Sequence, residues 1–331
     1  MKKVSIIGDG GWGTALAIVL TRNGHRVRVW GPFPEYIERI RRDGENTKFL
    51  PGVRLPPEIA WTAEPKAAVA DADAVVFAVP SRFFRDVISL FSGIVPPSAL
   101  LMSVTKGLDK GSGERMTQVA SALVGGRSVS ALSGPSHAEE VARGIPTAVV
   151  IASNDSAAGQ SLQLLFTGAA FRVYTSDDVI GAELGGALKN VIAIAAGVSD
   201  GIGFGDNTKA ALITRGLAEI TRLGCALGAN PATFAGLSGL GDLIVTCTSR
   251  HSRNRAVGER LGRGESIDQI LQSMEQVAEG VWTCATAREL AKAHQIPVPI
   301  TDEVFAVIHE GKNPRSAVQS LISRDARPER D

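Results

Sequence analysis

Along the first half of the chain, short β-branched apolar runs alternate with longer stretches of helical period. Val4 to Ile7, Arg26 to Trp30, Ala74 to Val79, Leu100 to Thr105, Val129 to Leu132, Thr147 to Ile151 and Phe171 to Tyr174 read as strands. Between them lie helical patterns such as Thr14-Ala15-Leu16-Ala17-Ile18-Val19-Leu20, which Asn23-Gly24 closes. This alternation predicts α/β architecture with a doubly wound, mostly parallel sheet. After Thr175-Ser176-Asp177-Asp178, which suit a helix N-cap, the strand pattern largely stops, and helical periods run from about Ile180 onward. The expected organisation is an α/β domain over 1–176, an all-α C-terminal domain over 177–323 and a flexible tail over 324–331.

The helical half carries the most informative residue. From Leu184 to Ser199 the chain is largely apolar, and Lys189 is its only formal charge. On a helix the neighbours of Lys189 include Ala182, Gly185, Gly186, Ala193 and Ala196, small enough to let something bulky approach the ammonium. Such a lysine either sends its charge to water along a packed stem or sits buried with a shifted pKa suited to proton transfer. Further on, Arg215 and Glu219 have the spacing of a helical ion pair, and Gly228-Ala229-Asn230-Pro231 breaks that helix.

Composition narrows the class. The 331 residues carry 35 basic and 34 acidic side chains, so no bulk field favours nucleic acid or an anionic membrane surface, and a small-molecule protein is expected. Cys225, Cys247 and Cys284 are odd in number, widely spaced and without a C-x-x-C pair, which argues against a disulfide framework or zinc site and suits a reducing cytoplasm. The N-terminal apolar stretch is too short for a signal peptide, and every longer apolar run is interrupted, so no integral membrane segment is expected.

Candidate chemistry begins where the first strand ends. In Gly8-Asp9-Gly10-Gly11-Trp12-Gly13, Gly8 permits a tight turn, Gly10 lets backbone approach a pyrophosphate, and Gly13 allows helix to pack on strand. This makes the first domain Rossmann-like and dinucleotide-binding. The second strand runs into Trp30-Gly31-Pro32-Phe33-Pro34, with neither the acidic residue of an NAD site nor the arginine of an NADP site, so both NAD and NADP stay open. Ser81 and Lys106 follow later strands, where ligands of such sheets lie. Ser136 and Glu139 have capping-box spacing before a helix start, with His137 between them. Asp242, in glycine-rich surroundings, suits either a helix cap or a site. Ser252-Arg253-Asn254 at a helix start combine hydroxyl, guanidinium and free N–H groups into a phosphate cradle. Val277-Ala278-Glu279-Gly280 reads as a turn.

Taken in order, GDGGWGTALA, TKG around Lys106, SGPSHAEEVARGIPTAV, ELGGALKNVIAIAAGVSDGIGFGDNTKAALITRGLAE, GLSGLGDLIVTCTSRHSRNR and AEGV closely resemble the bacterial NAD(P)-dependent glycerol-3-phosphate dehydrogenases, from residue 4 to about 310. The resemblance implies interconversion of sn-glycerol 3-phosphate and dihydroxyacetone phosphate, feeding phospholipid synthesis. It implies that Lys189 donates or accepts the proton at C2, that Lys106 beside it lowers its pKa, and that Lys106, Gly134, Ser136, Lys189, Asp242, Ser252, Arg253 and Asn254 bind substrate. Gly11, Trp12, Lys106, Ala138, Arg253, Val277 and Glu279 fall on its cofactor positions, beside Gly8, Gly10 and Gly13 of the turn. The family commonly carries Arg or His after the second strand, where this chain has Gly31 and Pro32. A helical second domain suits a homodimer. Two other readings share the glycine turn: a related hydroxyacid dehydrogenase with a carboxylate substrate, and a non-catalytic dinucleotide sensor. The Ser252-Arg253-Asn254 block disfavours the first, and its combination with Lys189 and Asp242 disfavours the second.

Overall fold

The computed structural model describes residues 1–274, 276–326, 328 and 329. Strands β1 (Lys3–Ile7), β2 (Arg26–Trp30), β3 (Ala60–Thr62), β4 (Ala74–Phe77), β5 (Leu100–Ser103), β6 (Ser130–Ser133), β7 (Thr147–Ala152) and β8 (Phe171–Ser176) form one sheet. Their spatial order is β3-β2-β1-β4-β5-β6-β7-β8. All neighbours are parallel except β6 and β7, which run antiparallel. Ile7 of β1 pairs with Trp30 of β2 on one side and Phe77 of β4 on the other, so three strand ends converge on the glycine turn. The chain order reverses there, and a crevice opens beyond the strand ends. The predicted strands are all present. β3 has no counterpart in the sequence pattern because Ala60-Trp61-Thr62 is too short to show a period.

The second half is helical. Helix Val179–Ile202 is long and apolar enough to cross a membrane, yet it is a core helix: 94% of its most apolar window is buried in the protein. Asp178 caps it, its side chain accepting from the Gly181 N–H, as the Asp177-Asp178 junction predicts. Helix Arg253–Gly262 lies directly on its backbone. A Cβ on Gly197 would come 2.0 Å from the Arg255 carbonyl oxygen, and one on Gly258 would come 2.0 Å from that of Ile194. Glycine at both positions therefore lets the helices touch main chain to main chain.

The same helix is anchored to the N-terminal domain. Buried Glu183 accepts from the Thr117 N–H at 2.9 Å and from Arg115 Nη1 at 2.6 Å. Two local expectations fail. Arg215 does not pair with Glu219: the Glu219 carboxylate is buried and accepts from the Ile300 and Thr301 N–H groups at 2.8 and 2.9 Å, serving as the cap of helix Pro299–His309. Arg215 Nη1 donates instead to the Glu329 carbonyl. Of the expected tail 324–331, Arg327, Arg330 and Asp331 lie outside the described residues.

Candidate active site

The crevice at the strand ends faces helices Asp242–Thr248, Arg253–Gly262 and Glu279–Ala293, and Lys189 lies in it. Its ammonium sits 2.8 Å from Asp242 Oδ1 and donates to Thr246 Oγ1 at 2.6 Å. Thr246 Oγ1 in turn donates to the Asp242 carbonyl, which holds it in an accepting pose for the lysine. An ammonium has three N–H donors, so the third is left for a molecule in the crevice. Burial pushes the Lys189 pKa down to about 8; Asp242 opposes that shift and Lys106 adds to it. The lysine is therefore buried and paired rather than reaching to water.

Asp242 serves two cations. Lys106 Nζ binds its Oδ2 at 2.6 Å and donates to the Gly134 carbonyl at 2.8 Å. Burial alone would raise the Asp242 carboxyl, but the ammoniums of Lys106 and Lys189 outweigh it and hold it below the usual carboxylate range. Asp242 opens helix Asp242–Thr248 as its first residue, so its position is helical while its side chain faces the lysines. The expectation that small residues around Lys189 admit a bulky ligand is not met. A Cβ on Gly185 would come 2.4 Å from the Ser238 carbonyl and one on Gly186 2.7 Å from Ser133 Oγ. Those glycines instead admit the turn Leu237–Gly241 and the end of β6.

On the dinucleotide side, Gly10, Gly11, Trp12 and Ala138 line the crevice. Gly8 has φ +123°, and a Cβ there would come 2.4 Å from the Ala78 carbonyl; one on Gly13 would come 2.2 Å from the Gly8 carbonyl. Both are packing positions. Gly10 differs: a Cβ on it would meet nothing within 4 Å, and no side chain caps the helix that follows. The Trp12 Nε1 is buried without a partner among the described residues. Open backbone, free helix N–H groups and an orphan donor fit the pyrophosphate of a dinucleotide.

Across the crevice, Ser252 caps helix Arg253–Gly262, its Oγ accepting from the Arg255 N–H at 3.2 Å. Arg253 lines the crevice and makes no ion pair or hydrogen bond among the described residues. Asn254 also lines the crevice, with a structural task besides. Its Oδ1 accepts from the Gly280 N–H at 2.8 Å and its Nδ2 donates to Asn190 Oδ1 at 2.9 Å, so its amide ties three helices together and keeps one side-chain N–H beside its backbone N–H. Val277 also lines the crevice, and Glu279 opens helix Glu279–Ala293 where a plain turn was expected. The Glu279 carboxylate accepts from the Ser81 N–H at 2.9 Å and from its hydroxyl, bridging the two sides. Ser136 does not form the expected capping box: its Oγ donates to the Gly134 carbonyl at 2.9 Å, and His137 takes the N-cap position without a side-chain bond.

Thr246 and His137 are among the crevice residues that went unassigned in the sequence. Thr246 lies one helical turn after Asp242, a spacing that marks a shared face. His137, which by itself reads as an ordinary packed histidine, has a buried Nε2 without a partner among the described residues, and its ring lies 5.8 Å from that of His251. Burial, with Lys189 and Lys106, lowers the His137 pKa.

Comparison with known proteins agrees with this arrangement. Residues 3–159 match the family described as NAD-dependent glycerol-3-phosphate dehydrogenase N-terminus, and residues 178–319 match its C-terminus. The chain is 49% identical to a glycerol-3-phosphate dehydrogenase [NAD(P)+] of Geobacillus thermodenitrificans, over 99% of this chain and 97% of that one. A crystal structure of glycerol-3-phosphate dehydrogenase from Coxiella burnetii superposes with a TM-score of 0.94 at 40% identity, covering 98% of this chain and 99% of the other. A ketopantoate reductase from Ralstonia eutropha, at 19% identity and a TM-score of 0.62 over 96% and 99% of the two chains, shares the fold alone.

Proposed function

The chain belongs to the NAD-dependent glycerol-3-phosphate dehydrogenase family and is an NAD(P)-dependent oxidoreductase; from that premise we propose how its residues interconvert sn-glycerol 3-phosphate and dihydroxyacetone phosphate. The observation that carries the reading is the Lys189 ammonium, buried in the crevice between the open Gly10 turn and the unpaired Arg253. A nicotinamide held there would supply or take the hydride at C2. Lys189 gives a proton to the C2 oxygen as the carbonyl is reduced and takes it back as the alcohol is oxidised. Before that transfer its free N–H stabilises the negative charge gathering on the oxygen, in a site from which Asp242 and Thr246 leave it no freedom to swing away. Lys106 reaches Asp242 from the other side and completes the positive wall that the substrate meets.

Arg253 and the N–H groups at the start of its helix hold the phosphate, fixing the remote end of the substrate. Gly10, Gly11, Trp12, Ala138, Val277 and Glu279 frame the dinucleotide. The division at residue 177 into a dinucleotide-binding domain and a helical catalytic domain is part of the same proposal, as are a cytoplasmic location, a homodimer and a supply of glycerol 3-phosphate to phospholipid synthesis. The free Cys225, Cys247 and Cys284 support the location.

The test is direct. NADH or NADPH oxidation with dihydroxyacetone phosphate is expected, with little turnover on ketoacids lacking a phosphate. Arg253→Ala is expected to raise the KM for dihydroxyacetone phosphate by roughly 10- to 100-fold, the worth of one charged hydrogen bond, and to change kcat far less. An unchanged KM would remove Arg253 from the phosphate.

A further inference from the structure

We propose that Asp9 selects the coenzyme, its carboxylate holding the ribose 2′-hydroxyl of NAD and repelling the 2′-phosphate of NADP. This deepens the reading of the crevice as a dinucleotide site and rests on it. The residue after β2 ordinarily makes this choice, and here it is Gly31, followed by Pro32, Phe33 and Pro34, none of which has a polar or charged side chain to bond to or repel a ribose substituent.

Asp9 fills that place from the neighbouring strand. β1 and β2 end side by side, the Gly8 N–H donating to the Trp30 carbonyl at 2.9 Å, and Asp9 is the next residue of the turn. A Cβ added to Gly31 would come 2.5 Å from Asp9 Oδ2 and 2.6 Å from its Cγ. The carboxyl group thus occupies the space into which a side chain at position 31 would point. The absence of a side chain on Gly31 is what makes room for it.

One oxygen of the carboxylate also lacks a donor. Asp9 is 7% exposed, and its Oδ2 is buried with no partner among the described residues. The donors near it go elsewhere: Asn46 Nδ2 bonds to the Asp9 carbonyl at 2.7 Å, and Thr14 Oγ1 reaches the same oxygen at 3.4 Å. A buried acceptor left without a donor is costly, and a ribose hydroxyl supplies one. Burial pushes the Asp9 pKa up to about 6, so the group carries its charge at pH 7.5. The charged and titratable groups facing it are Lys48, which is exposed and opposes that shift, and Tyr36, over whose ring Arg39 lies at 6.0 Å. Lys48 and Arg39 would attract a 2′-phosphate, but the carboxylate lies nearer the strand end, and like charges placed together in a buried site cost several-fold to many-fold in affinity.

The experiment measures coenzyme binding without substrate, by quenching of tryptophan fluorescence at pH 7.5, for the intact chain, Asp9→Asn and Asp9→Ser. The intact chain is expected to bind NADH about tenfold more tightly than NADPH, and both variants to bring the two dissociation constants within about threefold, chiefly by tightening NADPH. Two variants are used so that a folding failure of one, seen by circular dichroism, leaves the other to decide. Equal binding by the intact chain, tighter binding of NADPH, or a preference unchanged in a folded variant overturns the role of Asp9 while leaving the dinucleotide site in place. Failure to bind either coenzyme overturns the dinucleotide reading, and this inference with it.

Discussion

Lys189→Ala is expected to lower kcat for reduction of dihydroxyacetone phosphate on the order of 1,000-fold, while the dissociation constant for NADH changes little. General acid–base groups contribute roughly 100- to 10,000-fold, and Lys106 is held elsewhere, on the opposite oxygen of Asp242 and on the Gly134 carbonyl. The fold should survive the change, because Asp242 keeps its second partner. Lys189 also sets the pH dependence. Reduction needs the ammonium, so its rate should fall as pH rises through about 8; oxidation needs the free amine, so its rate should rise through the same region. Opposite limbs for the two directions, both lost in Lys189→Ala, are the signature. A variant with more than a tenth of normal turnover, or limbs of the same sign, would assign the proton to another group.

Asp242→Ala should do as much damage by a different route. It leaves two ammoniums facing each other without their shared counter-ion in a site where Asp242 is 1% exposed. Removing one partner of a buried ion pair costs about 3–5 kcal/mol, so a large fall in the thermal midpoint is expected. Asp242→Asn separates charge from shape. It keeps the side-chain volume but removes the interaction that holds the Lys189 pKa up, so the falling limb of the reduction reaction should move to lower pH by a unit or more. Reduction at pH 7.5 would then drop by about threefold or more and recover in acid. A limb that stays near 8 in Asp242→Asn would mean that burial alone sets the lysine.

The sequence shows the site in unequal parts. The glycine turn was readable because the strand, the turn and the helix are consecutive, and β2 falls on the residues its pattern indicates, Arg26–Trp30. The helix start at Ser252-Arg253-Asn254 was readable for the same reason. What could not be read are pairings between distant positions. Lys189 meets Thr246 across 57 positions and Asp242 meets Lys106 across 136, and neither spacing leaves a periodic trace. Asn254 was read at the helix start beside Ser252 and Arg253; only the packed structure reveals that its amide also bonds to Asn190 and Gly280. Arg215 and Glu219 have ideal spacing, and tertiary capping of helix Pro299–His309 overrides it.

The contact of Gly197 with Arg255 and of Gly258 with Ile194 joins the helix that carries Lys189 to the helix that begins at Arg253. No side chain intervenes at that crossing, so no rotamer change can alter its height. The reach from Lys189 to Arg253 is therefore a fixed caliper cut into two backbones, and a methyl group at either glycine would open its jaws. On the roles proposed for those two residues, selection for substrate length would reside several residues away from any atom the substrate touches.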